Sequence, residues 1–218
     1  MIKKCILFDL DNTLYPRECG LFRLIEGRII EYLRLKLGLA LGEAVALRQR
    51  YLKEYGLTLI GLMNHYKIDP QDYLDFVHDI SIDGVISEDR RLAQLMTRIP
   101  VAKAIFTNGT QQHARRILRS LGIEPFFPYI FDIAFMDYKP KPHPSSFQKV
   151  LDYMDVRAKE CLMVDDHLPT LSAAKRLGMT TIYVGRGEGG GADYKIREIK
   201  DIEGILKDLQ LLNIGDGR

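Results

Sequence analysis

Short apolar runs alternate with helix-patterned segments along most of this chain, and one long stretch carries no strand signal at all. Apolar residues crowd together in 2–10, 102–106, 130–135, 161–164 and 180–184, as strands buried on both faces require. Between and after them, 90–99, 111–121, 144–154, 170–177 and 199–212 carry apolar residues at helical spacing. Gly122 and Gly178 close two of these segments, and Pro144 stands where a first helical turn tolerates proline. Such repetition predicts an α/β fold, a doubly wound parallel sheet covered on both faces. Residues 21–37, 41–55, 57–66 and 70–79 instead all favour helix. The chain therefore divides into an α/β core, 1–15 with 88–218, and a helical insertion over 16–87.

Length and charge narrow the function classes. A chain of 218 residues suits one domain carrying a large insertion, and 46% hydrophobic with 28% charged residues is globular composition. Lys and Arg number 31 against 29 Asp and Glu, a formal charge of +2. That balance lacks the basic footprint of a nucleic-acid or anionic-membrane binder, and neither partner is expected. Cys5, Cys19 and Cys161 are odd in number and widely spaced, which argues against a disulfide framework and for reduced thiols in a cytoplasmic protein. The apolar run after Lys3 and Lys4 stops at Asp9, too short for a signal-peptide core.

Chemistry-bearing residues gather at the ends of the expected strands. Asp9-Leu10-Asp11-Asn12-Thr13-Leu14 follows the first, where ligands of open parallel sheets bind. Two carboxylates one residue apart need a cation or a proton between them, or else serve as a helix cap or a solvated turn. Thr107-Asn108-Gly109 follows the second strand, with a glycine that lets backbone N–H groups approach an anion. Asp165-Asp166 follows Val164, and Lys141 lies in a proline-stiffened run before the 144–154 helix. Each has a bland reading as turn, cap or surface charge. Their conjunction, in this order and at these places, does not.

These four segments, Asp9 to Leu14, Thr107-Asn108-Gly109, Lys141-Pro142-His143-Pro144 and Val164-Asp165-Asp166, resemble the four signature motifs of the haloacid dehalogenase superfamily over roughly residues 2–185. The resemblance implies a Rossmann-like core, a Mg²⁺ cofactor and a phosphoaspartyl intermediate. Matched position by position, Asp9 is the nucleophile and Asp11 the general acid–base. Thr107 and Asn108 bind phosphate. Lys141 pairs with nucleophile and phosphate; Lys139 competes for that role, but only Lys141 is followed by Pro-x-Pro. Asp9, the Asp11 carbonyl and Asp166 would ligate the metal, with Asp165 and Thr170 around them. Thr170 departs from the Asn or Asp common at that position. Dehalogenases of the family lack an acid at the Asp11 position, so the chain is expected to be a phosphatase or phosphomutase. A regulatory binding module on the same fold is the non-enzymatic alternative.

The insertion occupies the slot of the family's substrate-selecting cap. Its stretch Tyr51 to Leu59, with Gly61-Leu62 and the Lys141-Pro142-His143 segment, is similar to the pyrimidine 5′-nucleotidase branch. That implies a small phosphorylated metabolite, a nucleoside 5′-monophosphate, with a sugar phosphate or another small metabolite as the alternative. Tyr55, His65 or Tyr66 would stack on a base or else pack the cap's own helices. His113, in the helix after the second motif, is expected at a solvated position, with a phosphate-side contact as the alternative. Gly185-x-Gly187-x-x-Gly190 fits a dinucleotide fingerprint formally, but nothing after it opens a convincing helix.

Overall fold

A computed structural model describes residues 3–213. The chain forms two compact units, one running to Cys19 and resuming at Ile86, the other Gly20–Val85.

The first unit is built on six parallel strands: β1 (Cys5–Phe8), β2 (Ala102–Phe106), β3 (Tyr129–Phe131), β4 (Cys161–Asp165), β5 (Thr180–Val184) and β6 (Tyr194–Ile196), in the order β3-β2-β1-β4-β5-β6. The order reverses at β1, which pairs with β2 on one side and β4 on the other. Right-handed crossovers leaving a central strand in both directions put helices on opposite faces, the doubly wound arrangement. Every residue of β1 and β4 is buried, which explains the unbroken apolar sequence of Cys5–Phe8 and of 161–164 before Asp165. The register runs Cys5↔Cys161 to Phe8↔Val164. The ladder continues one step further, with the Asp9 N–H donating to the Val164 carbonyl at 2.9 Å.

Five helices belong to this unit: α5 (Arg90–Arg98), α6 (Gln111–Ser120), α7 (Pro144–Met154), α8 (Leu168–Arg176) and α9 (Ile202–Asp208). Side chains cap the starts of α5, α6 and α7: Asp89 accepts from the Leu92 amide, Thr110 from the His113 amide and His143 from the Ser145 amide. Gly122, just beyond α6, has φ +74°, a left-handed conformation that ends a helix at little cost to glycine.

Three expectations shift. Strand 130–135 shortens to β3 because the Asp132 carboxylate accepts from the Gln111 and Phe135 amides and turns the chain. β6 was not anticipated, and it follows directly on the glycine loop, so Gly185, Gly187 and Gly190 open no helix. The tail helix is only α9, preceded by a 3₁₀ turn at Ile199–Asp201. Of the first predicted strand, Ile2 lies outside the described residues, as do 1 and 214–218 of the predicted core.

The Gly20–Val85 unit holds α1 (Leu21–Leu37), α2 (Leu41–Tyr55), α3 (Thr58–Tyr66) and α4 (Pro70–His78). Its core is aromatic as well as aliphatic. Tyr32 packs edge-on against Tyr73 and Phe76, and its hydroxyl donates to Asp72 at 2.9 Å. Gly61 is required by close packing: a Cβ there would lie 2.3 Å from the buried Tyr51 ring. No helix among the described residues is long and apolar enough to cross a membrane.

Candidate active site

The carboxyl ends of β1, β2 and β4, together with the segment before α7, bring the candidate residues of the first unit together. Lys141 is the hub. Its ammonium donates to Asp9 Oδ1 and Asp165 Oδ2, both at 2.8 Å. Among the described residues it is the one fully buried lysine or arginine, whereas Lys139 is exposed. Burial works against its charge, but Asp165 and Asp9 override that and hold the ammonium above the ordinary lysine range.

Asp9, Asp165 and Asp166 each offer a carboxylate oxygen within 4.8 Å of the others. Burial raises all three to about 6; Lys141 opposes the rise at Asp9 and Asp165, while the charge of Asp165 adds to it at Asp166. Three carboxylates around one buried ammonium leave an excess of negative charge. An all-oxygen donor set of this charge suits a hard divalent cation, so these residues fit the expected Mg²⁺. Asp165 Oδ1 also accepts from the His167 amide at 2.8 Å, and the Asp166 amide donates to the Thr13 hydroxyl at 3.1 Å. Arg17 approaches Asp166 at 3.7 Å.

The remaining candidates have partners that sequence reading did not foresee. The Asn108 side-chain amide clasps the backbone of Lys141 in both directions, donating to its carbonyl at 3.1 Å and accepting from its N–H at 2.8 Å. Asn108 thus positions the lysine. Thr107 is buried beside it, its hydroxyl accepting from the Gly109 amide at 3.0 Å. The buried Thr170 hydroxyl meets His167 Nδ1 at 3.0 Å.

Asp11 is half-buried, and its Oδ1 takes the Tyr15 hydroxyl at 2.5 Å and His113 Nε2 at 3.0 Å. His113 is 1% exposed, contrary to the solvated position expected. The reason lies in the first turn of α6: His113, Ala114, Ile117 and Leu118 share its buried face. The spacing of His113 to Ile117, one helical turn, was the available signal.

A cleft of about 550 Å³ borders Asp166, lined by the 12–18 loop, the glycine loop after β5 and Arg197 to Lys200. In the helical unit, Tyr55 donates to or accepts from His65 Nε2 at 2.8 Å, and His65 stacks on Tyr51 with centroids 5.4 Å apart. Those two rings pack against their own unit, while Tyr66 is 45% exposed.

The haloacid dehalogenase-like hydrolase family matches residues 3–178. The chain is 26% identical over 192 residues to phosphate metabolism protein 8 of Saccharomyces cerevisiae, covering 81% of this chain but only 60% of the yeast protein. It is 28% identical to glyceraldehyde 3-phosphate phosphatase of Pyrococcus furiosus, over 97% of this chain and 92% of that one. In fold it is similar to a HAD phosphatase from Thermococcus onnurineus, with TM-score 0.60 and 24% identity over 93% of this chain and 97% of the other.

Proposed function

Since the chain belongs to the haloacid dehalogenase-like hydrolase family, we propose that it hydrolyses phosphomonoesters through a phosphoaspartyl intermediate on Asp9. The observation that carries this reading is the Lys141 ammonium bridging Asp9 and Asp165 at 2.8 Å in a buried site. Asp9 Oδ attacks phosphorus as the ester oxygen departs, and Asp11 gives that oxygen its proton. Asp11 then takes a proton from water, whose oxygen attacks phosphorus and frees Asp9. The Thr107 hydroxyl and Lys141 orient the phosphoryl oxygens, and Asn108 holds Lys141 in place. Asp9, the Asp11 carbonyl and Asp166 are the residues that would hold Mg²⁺, with Asp165 and Thr170 around them. Bound there, the ion supplies charge neutralisation at the phosphoryl group.

The substrate is a small phosphorylated metabolite. The Gly20–Val85 unit takes the cap's role of selecting it, and the resemblance of its 51–62 segment to the pyrimidine 5′-nucleotidase branch supports a nucleoside 5′-monophosphate. A second reading, a triose or sugar phosphate, is supported by the Pyrococcus furiosus phosphatase aligning over 97% of the chain. The three cysteines are free thiols, which suits a reducing cytoplasm.

The test is phosphate release from UMP, CMP, dTMP, AMP, GMP, glyceraldehyde 3-phosphate and hexose phosphates, with Mg²⁺ or with EDTA. Hydrolysis that EDTA stops, fastest on the pyrimidine nucleotides, is expected. Fastest turnover of glyceraldehyde 3-phosphate would replace the nucleotide reading with the triose one, and isomerised sugar phosphate without phosphate release would make the chain a mutase. Asp9→Asn should lower turnover by at least on the order of 1,000-fold. Wild-type rates in that variant would remove the nucleophile assignment.

A further inference from the structure

Asp11 is held by two buried side chains that come from different parts of the first unit. Tyr15 is 3% exposed and His113 is 1% exposed. Their polar atoms converge on one oxygen: Tyr15 Oη at 2.5 Å and His113 Nε2 at 3.0 Å, both to Asp11 Oδ1. A tyrosine hydroxyl and an imidazole N–H are donors to a carboxylate, so Oδ1 is the accepting oxygen for both. Each donor is anchored in turn. Tyr15 lies one residue beyond the buried Leu14, whose amide bonds to the Leu10 carbonyl at 3.0 Å, closing the loop that carries Asp11. His113 is fixed by the Thr110 cap, whose hydroxyl accepts its amide at 3.2 Å.

An aspartate on a loop has two freely turning χ angles. Anchoring one carboxylate oxygen to two fixed donors removes that freedom before substrate arrives, and small misplacements of a catalytic group cost large factors in rate. We infer that Tyr15 and His113 are positioning residues that orient the Asp11 carboxyl for proton transfer, holding Oδ1 so that the transferred proton resides on Oδ2. The inference rests on the proposed acid–base role of Asp11. In the first step the bond from Asp9 to phosphorus forms, the ester P–O bond breaks, and the proton on Asp11 Oδ2 passes to the departing oxygen. In the second step the proton returns to Oδ2 from the attacking water. Tyr15 and His113 keep their own protons throughout.

The experiment compares kcat/KM for phenyl phosphate and p-nitrophenyl phosphate in the Mg²⁺-loaded full chain. These esters differ in one substituent remote from phosphorus, but phenoxide needs protonation as it leaves far more than p-nitrophenoxide does. The quantity read is the phenyl to p-nitrophenyl ratio of kcat/KM. A merely structural role would lower both values together and leave that ratio alone. Asp11→Asn is the reference, and its ratio should fall sharply. Tyr15→Phe, which deletes one atom, and His113→Leu, which removes the donor, should each lower the ratio about tenfold. His113→Gln, which restores an N–H at a similar reach, should recover most of it. If His113→Leu does not fold, Tyr15→Phe alone decides. A wild-type ratio in Tyr15→Phe, alongside a fallen ratio in Asp11→Asn, overturns the positioning inference while leaving the acid–base reading intact. An unchanged ratio in Asp11→Asn removes the acid–base reading itself, and the inference with it.

Discussion

The two units of this molecule bury different things. Among the described residues, the helical unit Gly20–Val85 buries one polar side chain outside its aromatic rings, Thr58. The sheet unit buries ten among the described residues, of which Asp9, Thr13, Thr107, His113, Lys141, Asp165 and Thr170 lie at or near the carboxyl ends of its strands and Ser146, Glu160 and Thr181 complete the set. Burying charge is costly unless it is matched, so the sheet unit is organised by charge compensation and the helical unit by shape. The first kind of order fixes residue types at given places. The second tolerates many sequences of suitable volume, which is why reaction chemistry is easier to read here than substrate identity.

Removing a charge from the sheet unit should have the largest effect. Lys141→Met leaves Asp9 and Asp165 without their shared partner, and a loss of about 3–5 kcal/mol is expected in chemical denaturation, together with loss of turnover. A Lys141→Met variant as stable as the parent would mean that the unit is not ordered by charge. Next comes the metal. Mg²⁺ at a hundredfold excess over its Kd should stabilise the parent by about 2.7 kcal/mol, and Asp166→Asn should lose that gain in a thermal melt. An equal gain in the variant would take Asp166 out of the donor set.

For the helical unit the decisive change is steric. Gly61→Ala drives a methyl group to 2.3 Å from the Tyr51 ring, and overpacking of this kind costs about 1–3 kcal/mol. Hydrogen exchange should show the loss in α2 and α3 amides and leave β1 and β4 protection unchanged. Faster exchange in β1 and β4 to the same degree would show that the two units unfold together.

The smallest effect is expected at Glu160, which accepts from the Arg157 amide and guanidinium and pairs with Lys4 at 3.1 Å. Those bonds, Arg157 first, hold its carboxyl below the ordinary value of 4.5. A depressed folded-state value means stability that is present above about pH 4.5 and lost as pH falls through the folded value. Glu160→Gln should therefore melt slightly lower at pH 7, with the gap closing in acid. A gap that widens as pH falls would reverse the sign.

What was legible in the sequence follows the same division. Unbroken apolar runs announced β1 and residues 161–164 of β4, because central parallel strands have no solvated face on which a polar residue could break the pattern. β2 and β5 were legible from the apolar residues Ala104 to Phe106 and Ile182 to Val184, despite Lys103 and the two threonines that open β5. The carboxylates and Lys141 were legible because they fall in a fixed order, the acids at the ends of β1 and β4 and the lysine in the proline-stiffened run before α7. β6 was hidden: three residues, Tyr194 to Ile196, with an exposed lysine in the middle, carry too little pattern. Asn108 was read as a phosphate ligand because its hold on the Lys141 backbone joins positions 33 residues apart. His113 sits in Gln111-Gln112-His113-Ala114-Arg115-Arg116, polar enough to suggest a solvated helix face, and that polarity masked its one-turn spacing from the buried Ile117. Tyr15 gave no sign of its hydroxyl's partner.

One rung beyond the pairing of Phe8 with Val164 stand Asp9 and Asp165, the two acids that share Lys141. Their meeting therefore depends on strand alignment as well as on composition. A slip of β4 by a single residue would turn the Asp165 side chain to the opposite face of the sheet while preserving a hydrogen-bonded ladder. Specific activity per folded molecule consequently reports on alignment: refolded material with native helicity but shifted strands would be compact and inert, and turnover would count the molecules in which the two strands have met on the right rung.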